Sequence, residues 1–151
     1  MLKVIGKDYC TVDSNGRFKF PSSLKKQLIS VIDSGFVIRE SIYGNYLELY
    51  PMNVWEEEIE KIRKRLNPYN PKDIILIRKL SEGNKVELDN NDRLLIPGDQ
   101  KKAKSINKDI ILVSRINIFE IWDVEKYNEI NNSTMDYVAY ANERIGQFEN
   151  E

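Results

Sequence analysis

The side chains best placed to act on a partner are two guanidinium groups, each four residues after a carboxylate. "DSNGRFKFP" starts at Asp13 and "DNNDRLLIP" at Asp89; both read Asp-x-x-x-Arg, three residues, then Pro. An Asp at the start of a turn accepts backbone N–H bonds. The following Arg either pairs with that carboxylate or projects a planar fork of donors, which fits a phosphate or the major-groove edge of guanine. For Asp13 and Asp89 both readings stand, a turn staple or part of a contact surface. Other chemistry finds little support. Histidine is absent and Cys10 is the single cysteine, which removes Ser–His and Cys–His nucleophilic pairs, histidine metal ligands and any disulfide within the chain. No glycine-rich phosphate loop occurs. The expectation is a protein that is not an enzyme, with no metal, no cofactor and no small-molecule ligand. Cys10 reads as a small residue in a strand, in a reducing compartment.

The elements that must position the arginines follow from turn chemistry and periodicity. "YCTVDSNGRFKF" reads as a hairpin turning at Asn15-Gly16, the strongest short hairpin signal, and Pro21 ends its second strand. Ser22 or Ser23 is a candidate N-cap for a short helix carrying Leu24, Leu28 and Ile29. "FVIRESIYGNYLELYP" is a second hairpin with Gly44-Asn45 at its tip. "MNVWEEEIEKIRKRL" places Trp55, Ile59, Ile62 and Leu66 on one helical stripe, with Glu57–Lys61 and Glu60–Lys64 as i,i+4 pairs. "NPYNP" punctuates, and "KDIILIRKL" makes a further helix. The order then repeats: hairpin and Pro97, short helix "GDQKKAKSI", hairpin "DIILVSRINIFEIWD", helix "VEKYNEI". A last helix over about 133–148 carries Met135, Val138, Tyr140 or Ala141, and Ile145.

The chain is therefore an internal duplication, roughly 9–66 and 85–131. Asp13, Arg17 and Pro21 recur as Asp89, Arg93 and Pro97, all at one offset; Leu49 and Tyr50 recur, at a slightly shorter one, as Ile121 and Trp122. The organisation expected is a first repeat over 5–66, a helical connector over 67–84, a second repeat over 85–131 and a C-terminal helical tail over 132–151. With 41% hydrophobic residues in 151, there is material for one core and too little for two independent ones. One hairpin–helix–hairpin unit cannot enclose a core alone, whereas two units packed about a pseudo-twofold axis, with strands interleaved, can. The fold class is α+β.

Charge is polarised. The net charge is −1, yet residues 1–30 hold six cations against Asp8 and Asp13, whereas residues 119–151 hold eight acids against Lys126 and Arg144. Strand alternation sends Phe18, Phe20, Leu94 and Ile96 inward and Arg17, Lys19, Arg93 and Leu95 outward. The first repeat thus presents two cations, followed by Lys25 and Lys26. The second presents Arg93 beside Leu95, which suits a protein contact. Lys101, Lys102 and Lys104 follow in the second short helix, where a solvated face is the simplest reading. The N-terminus shows no secretion signal, and the longest apolar runs, such as "IILV" at 110–113, are far too short to span a membrane. The expected location is cytoplasmic.

The stretches "IGKDYCTVDSNGRFKFP" at 5–21, "LELYPMNVW" at 47–55, "DNNDRLLIP" at 89–97 and "IFEIWDVEKY" at 118–127 resemble the MraZ family, over about residues 1–131. The resemblance implies two tandem swapped-hairpin units of the AbrB/SpoVT type, forming a pseudo-twofold, β-barrel-like core. It also implies a bacterial transcriptional regulator associated with the nucleoid. Such a protein binds double-stranded DNA, at short direct repeats in the promoter of the division and cell wall gene cluster, as a ring-shaped homo-oligomer. The DNA-binding residues expected are Asn15, Arg17, Lys19, Lys25, Lys26 and Arg93; Asp13, Gly16, Asp89 and Asp92 are the turn residues. The family's second motif carries Gly where this chain has Asp92. An alternative is a protein-interaction module, antitoxin-like, using the same fold without sequence-specific DNA binding.

Overall fold

The two Asp-led turns form, but neither closes a local hairpin. In the computed structural model, which describes residues 2–132 and 135–146, the Asp13 N–H donates to the Arg17 carbonyl at 2.8 Å and the Gly16 N–H to the Asp13 carbonyl at 3.0 Å. The chain reverses, yet the strands on either side part company. Strand β1 (Lys7–Thr11) pairs with β7 (Asp109–Arg115), and β2 (Arg17–Lys19) pairs with β6 (Arg93–Leu95). Strand β5 (Gly83–Val86) likewise leaves β6 and pairs with β3 (Phe36–Glu40). The two expected Asp-led hairpins are thus replaced by pairings between the halves. The cause lies in the apolar faces: Phe18 and Leu94 stand opposite each other, and both must be capped by the same sheet.

The other two expected hairpins form, the first at its expected tip. β3 pairs with β4 (Leu47–Pro51) around Gly44-Asn45, and β7 pairs with β8 (Ile118–Asp123) around Ile116-Asn117. All strands are antiparallel. Six run in the order β1-β7-β8-β4-β3-β5, and β2-β6 make a separate two-stranded ribbon. The sheet is open, with β1 and β5 at its edges, so the expected barrel-like closure does not occur: neither edge strand pairs with the ribbon.

The main core lies between ribbon and sheet. Phe18, Phe20, Leu94 and Ile96 pack with Phe36, Ile38, Leu47, Leu49, Ile110, Leu112, Phe119 and Ile121, closed by Leu24 and Leu28. Phe20 sits at its centre, 5.5 Å from the Phe36 ring and edge-on to Phe119 at 6.1 Å, a favoured aromatic geometry. Leu24 belongs to α1 (Ser22–Gln27). There Pro21 occupies the cap position and no side chain caps the helix, so neither Ser22 nor Ser23 is an N-cap; the fixed φ of proline pre-sets the first turn instead.

The second sheet face is also covered, which explains why the strands read as nearly continuous apolar runs. Helix α2 (Met52–Arg65) lays Val54 and Trp55 against Val37, Tyr50 and Ile118. Of its expected stripe only Ile62 is buried, and Glu60 bonds Arg63 at 2.6 Å in preference to Lys64 at 3.9 Å. Helix α5 (Val124–Asn131) covers Ile111 and Trp122 through Val124 and Tyr127. Between the halves runs α3 (Pro71–Leu80), capped by the Asn70 side chain; the short α4 (Gly98–Ala103) lies within the second half. The tail holds α6 (Tyr137–Ala141) and a π-helical turn over Asn142–Gly146. The ends of the helix expected over 133–148, residues 133–134 and 147–148, lie outside the described residues.

One polar cluster interrupts this apolar face. Arg39 and Glu48 are buried, bonded at 3.0 Å. The Arg39 guanidinium also donates to the Leu80 carbonyl, Tyr50 Oη and Glu58 Oε2 at 2.8, 2.6 and 2.8 Å, and lies over the Tyr50 and Trp55 rings. Glu48 faces Glu120 across the β4–β8 ladder; Arg115 bridges the two carboxylates at 2.9 and 2.8 Å. Removing one partner of a buried ion pair leaves an uncompensated charge, so Glu48→Ala is expected to lower stability by about 3–5 kcal/mol. Denaturant melts of the variant check this, and a loss under about 1 kcal/mol would contradict a buried pair that matters.

Candidate nucleic-acid interface

The ribbon brings both arginines onto one surface. In its register Arg17 faces Leu95, Phe18 faces Leu94 and Lys19 faces Arg93. Phe18 and Leu94 are buried while Arg17, Lys19 and Leu95 are exposed and Arg93 is half-buried, the alternation read from the sequence. The outer face of one ribbon therefore carries Arg17, Lys19 and Arg93 together. The sequence treats the two motifs as separate surfaces; the pairing between halves joins them.

Each turn is built the same way. Asp13 Oδ1 accepts the N–H groups of Asn15 and Arg17 at 2.9 and 3.0 Å; Asp89 Oδ1 accepts those of Asn91 and Arg93, both at 2.9 Å. The turns then cross-brace: the Phe20 N–H donates to the Asp92 carbonyl and the Ile96 N–H to the Gly16 carbonyl. Gly16 adopts φ +82° and Asp92 φ +58°. The staple reading of Asp13 and Asp89 is thus realised in the geometry. The Arg17 N–H bond, with help from Asn15, Arg93 and the Arg17 charge, holds the Asp13 carboxyl below the usual carboxylate range. The Arg93 N–H bond, with parallel help, does the same for Asp89.

The arginines do not pair with their own aspartates. Arg93 Nη1 lies 3.6 Å from Asp13 Oδ2 in the opposite turn, which relieves its placement directly across from Lys19. Among the described residues Arg17, Lys19 and Lys26 form no ion pair, so their charges remain available. Asn15 is exposed at the first tip. Lys25 does pair: its Nζ is 2.9 Å from Asp92 Oδ1. Lys104 is not on a solvated face, since its Nζ donates to the Ser41 and Gly44 carbonyls at 2.8 Å and holds the β3–β4 loop. Burial and the neighbouring Asp8 push the Cys10 thiol up to about 11, away from nucleophile chemistry.

Three polar contacts escape a reading of the sequence: Arg93–Asp13, Lys25–Asp92 and the Arg39 network. The last had a signal. Arg39 recurs as Arg115 at the offset that separates Arg17 from Arg93, and Glu48 recurs as Glu120 at the offset that separates Leu49 from Ile121. The first two depend on which strands pair. No helix among the described residues is long and apolar enough to cross a membrane.

A two-stranded cationic ribbon on an α+β frame is a surface of the kind that can enter a nucleic-acid groove, and relatives of this chain are named transcriptional regulators. A protein of Christiangramia forsetii named "Transcriptional regulator MraZ" is 43% identical over 97% of this chain and 95% of its own length. Its namesake in Flavobacterium psychrophilum is 41% identical over 97% and 94%, and that of Bacteroides thetaiotaomicron 32% over 83% and 81%. A family model described as "MraZ protein, putative antitoxin-like" matches residues 80–147. The chain belongs to the MraZ family, whose members here are named transcriptional regulators.

Two expectations follow from the turns. Asp92→Gly removes a positive-φ cost and also a half-exposed ion pair worth about 0–1 kcal/mol, so stability should stay within about 1 kcal/mol of the parent by denaturant melt. The depressed carboxyls of Asp13 and Asp89 contribute stability that is present above the ordinary Asp range. That stability is lost as pH falls through the lower folded-state value. Asp13→Asn with Asp89→Asn should therefore flatten the acid limb of the stability–pH profile and leave its neutral plateau lower; an unchanged acid limb would contradict the staple.

Proposed function

We propose that the protein is a sequence-specific DNA-binding transcriptional regulator whose β2–β6 ribbon enters the major groove. The observation that carries this is the outer face of that ribbon, where Arg17 and Lys19 stand exposed and unpaired beside Arg93. A two-stranded ribbon fits the major groove, and an arginine fork there can bond guanine O6 and N7. Arg17 is the base-reading candidate, with Asn15 at the tip. Lys19 and Lys26 meet phosphates. Arg93, half-buried and held by Asp13, serves the ribbon first and DNA second; Lys25 is engaged by Asp92. The pairing of β1 with β7, β2 with β6 and β3 with β5 across the halves supports a tandem swapped-hairpin fold of the AbrB/SpoVT type. Family resemblance supplies the rest of the proposal: short direct repeats in the promoter of the division and cell wall gene cluster, a ring of subunits, and residence at the nucleoid. A ring also answers a physical need. One copy with a handful of phosphate contacts and a net charge of −1 binds weakly, and linked copies meet successive repeats at high effective concentration.

Arg17→Ala should cost at least about 2 kcal/mol of specific binding per engaged copy. Lys19→Ala should weaken all sequences alike and flatten the salt slope by about one unit per engaged copy. Arg93→Ala should cost markedly less binding and more stability or assembly. Band-shift titrations at two salt concentrations, with sedimentation of each variant at micromolar concentration, read all three. Equal loss in Arg17→Ala and Arg93→Ala with intact oligomers overturns the asymmetry, monomers alone overturn the ring, and binding to partner protein without salt-dependent DNA binding favours the interaction-module reading.

A further inference from the structure

The duplication makes the two turns equivalent, but the lysines beside them are differently partnered. Beside the second turn stands Lys25 of α1, and its ammonium is engaged by Asp92. The counterpart of Lys25 in the second repeat, at the offset that relates Arg17 to Arg93, is Lys101 of α4, which lies beside the first turn. There Gly16 takes the place of Asp92, so no acid meets it. Lys101 lines an open groove with Thr11, Asp13, Ser14, Asn107 and Lys108. The Lys108 carbonyl accepts the Val12 N–H at 2.8 Å, which anchors this lysine at the root of the turn. Its counterpart in the first repeat, at the same offset, is Ile32, an apolar residue packed on the core. Neither Lys101 nor Lys108 pairs with an acid among the described residues. The one carboxylate in the groove is occupied: Asp13 Oδ1 accepts two backbone N–H groups and Oδ2 faces Arg93.

We infer that the groove between the first turn and α4 is a binding site for a DNA backbone phosphate, held by Lys101 and Lys108 of the second half, and that Asp92 closes the equivalent site at the second turn by neutralising Lys25. The inference rests on the DNA-binding reading above. It gives the second half a phosphate contact beyond the secondary one that Arg93 makes from its ribbon strand. It also orients the complex: bases are read by β2, and the flanking phosphate on that side is gripped from α4 and the segment after it. At the other turn, Asp89 and Asp92 face the approaching backbone while Lys25 is neutralised.

The test is the salt dependence of binding to duplex DNA carrying the upstream promoter sequence, followed by fluorescence anisotropy with the full chain. Each phosphate neutralised contributes about 0.9 to the slope of log affinity against log salt. Lys101→Ala with Lys108→Ala should flatten the slope by about two units per engaged copy, leave the ratio of specific to non-specific affinity unchanged, and be rescued by Lys101→Arg with Lys108→Arg. Asp92→Asn, which keeps the side-chain shape, should steepen the slope by about one unit per engaged copy, and adding Lys25→Ala should return it to the parent value. Thermal melts confirm that each variant is folded; should the double alanine variant unfold, the Asp92→Asn pair decides alone. A parent-like slope in the lysine variant, or in Asp92→Asn, overturns the inference while loss of binding in Arg17→Ala keeps the reading. Absence of salt-dependent binding by the parent protein overturns both.

Discussion

The arrangement of strands in this protein turns on a pair of like charges that must face each other. Glu48 and Glu120 are opposite residues on β4 and β8, whose pairing is the central one of the three places where the two halves meet in the large sheet. Two carboxylates so placed repel, and one is fully buried. The arrangement holds because each half supplies an arginine from its own preceding strand, Arg39 and Arg115, and Arg115 reaches both carboxylates. A buried ion pair adds little net stability over apolar side chains of the same shape. Its value here is registry: slipping β4 against β8 by one residue would strand Glu48 in the apolar core face. Because Arg39 also binds the Leu80 carbonyl and Glu58, the same cluster fixes α2 and the end of α3. The junction is thereby locked at the face of the sheet opposite the ribbon.

The ribbon is the complementary junction. β2 and β6 are only three residues long, too short to be stable alone. They persist because Phe18, Phe20, Leu94 and Ile96 are driven into the main core, and because each turn accepts an N–H from beyond the other's strand. Presenting three cations on so small an element causes electrostatic crowding, offset by Asp13 reaching across to Arg93 and by the turns' carboxylates remaining ionised.

Much of this was legible in the sequence. The duplication, the Asp-led turns, the hairpin that closes at Gly44-Asn45, the existence of the hairpin over β7 and β8, the long helix and the inward set Phe18, Phe20, Leu94 and Ile96 follow from turn chemistry and periodicity, which are local; the tip at Ile116-Asn117 does not, since Ile116 takes a positive φ. What stayed hidden was partner choice. A strand of three residues after Asn-Gly fits its neighbour in sequence or a distant copy equally well, and only the demand that Phe18 and Leu94 share one lid decides for the copy. The site inherits this limit. That Arg17 and Lys19 face outward is a matter of alternation, whereas the contacts Arg93–Asp13 and Lys25–Asp92 exist only once the halves interleave. The buried Arg39 network is likewise hidden, because its partners come from separate segments of the chain.

The interleaving also bears on how the chain reaches its fold. Except for the two local hairpins, every strand pairing joins segments from opposite halves, so most of the sheet cannot form until the second half has left the ribosome. Contacts of such sequence separation make for slow folding, since loop closure must precede their reward. Nothing in the pairings themselves distinguishes the second half of the same chain from that of a neighbouring copy. Only the tether through α2 and α3, by raising local concentration, favours the chain's own partner. At high protein density, as in crowded synthesis on one message, exchange of halves between nascent chains is the characteristic misassembly open to this architecture, and it would yield a dimer with every native strand pair intact.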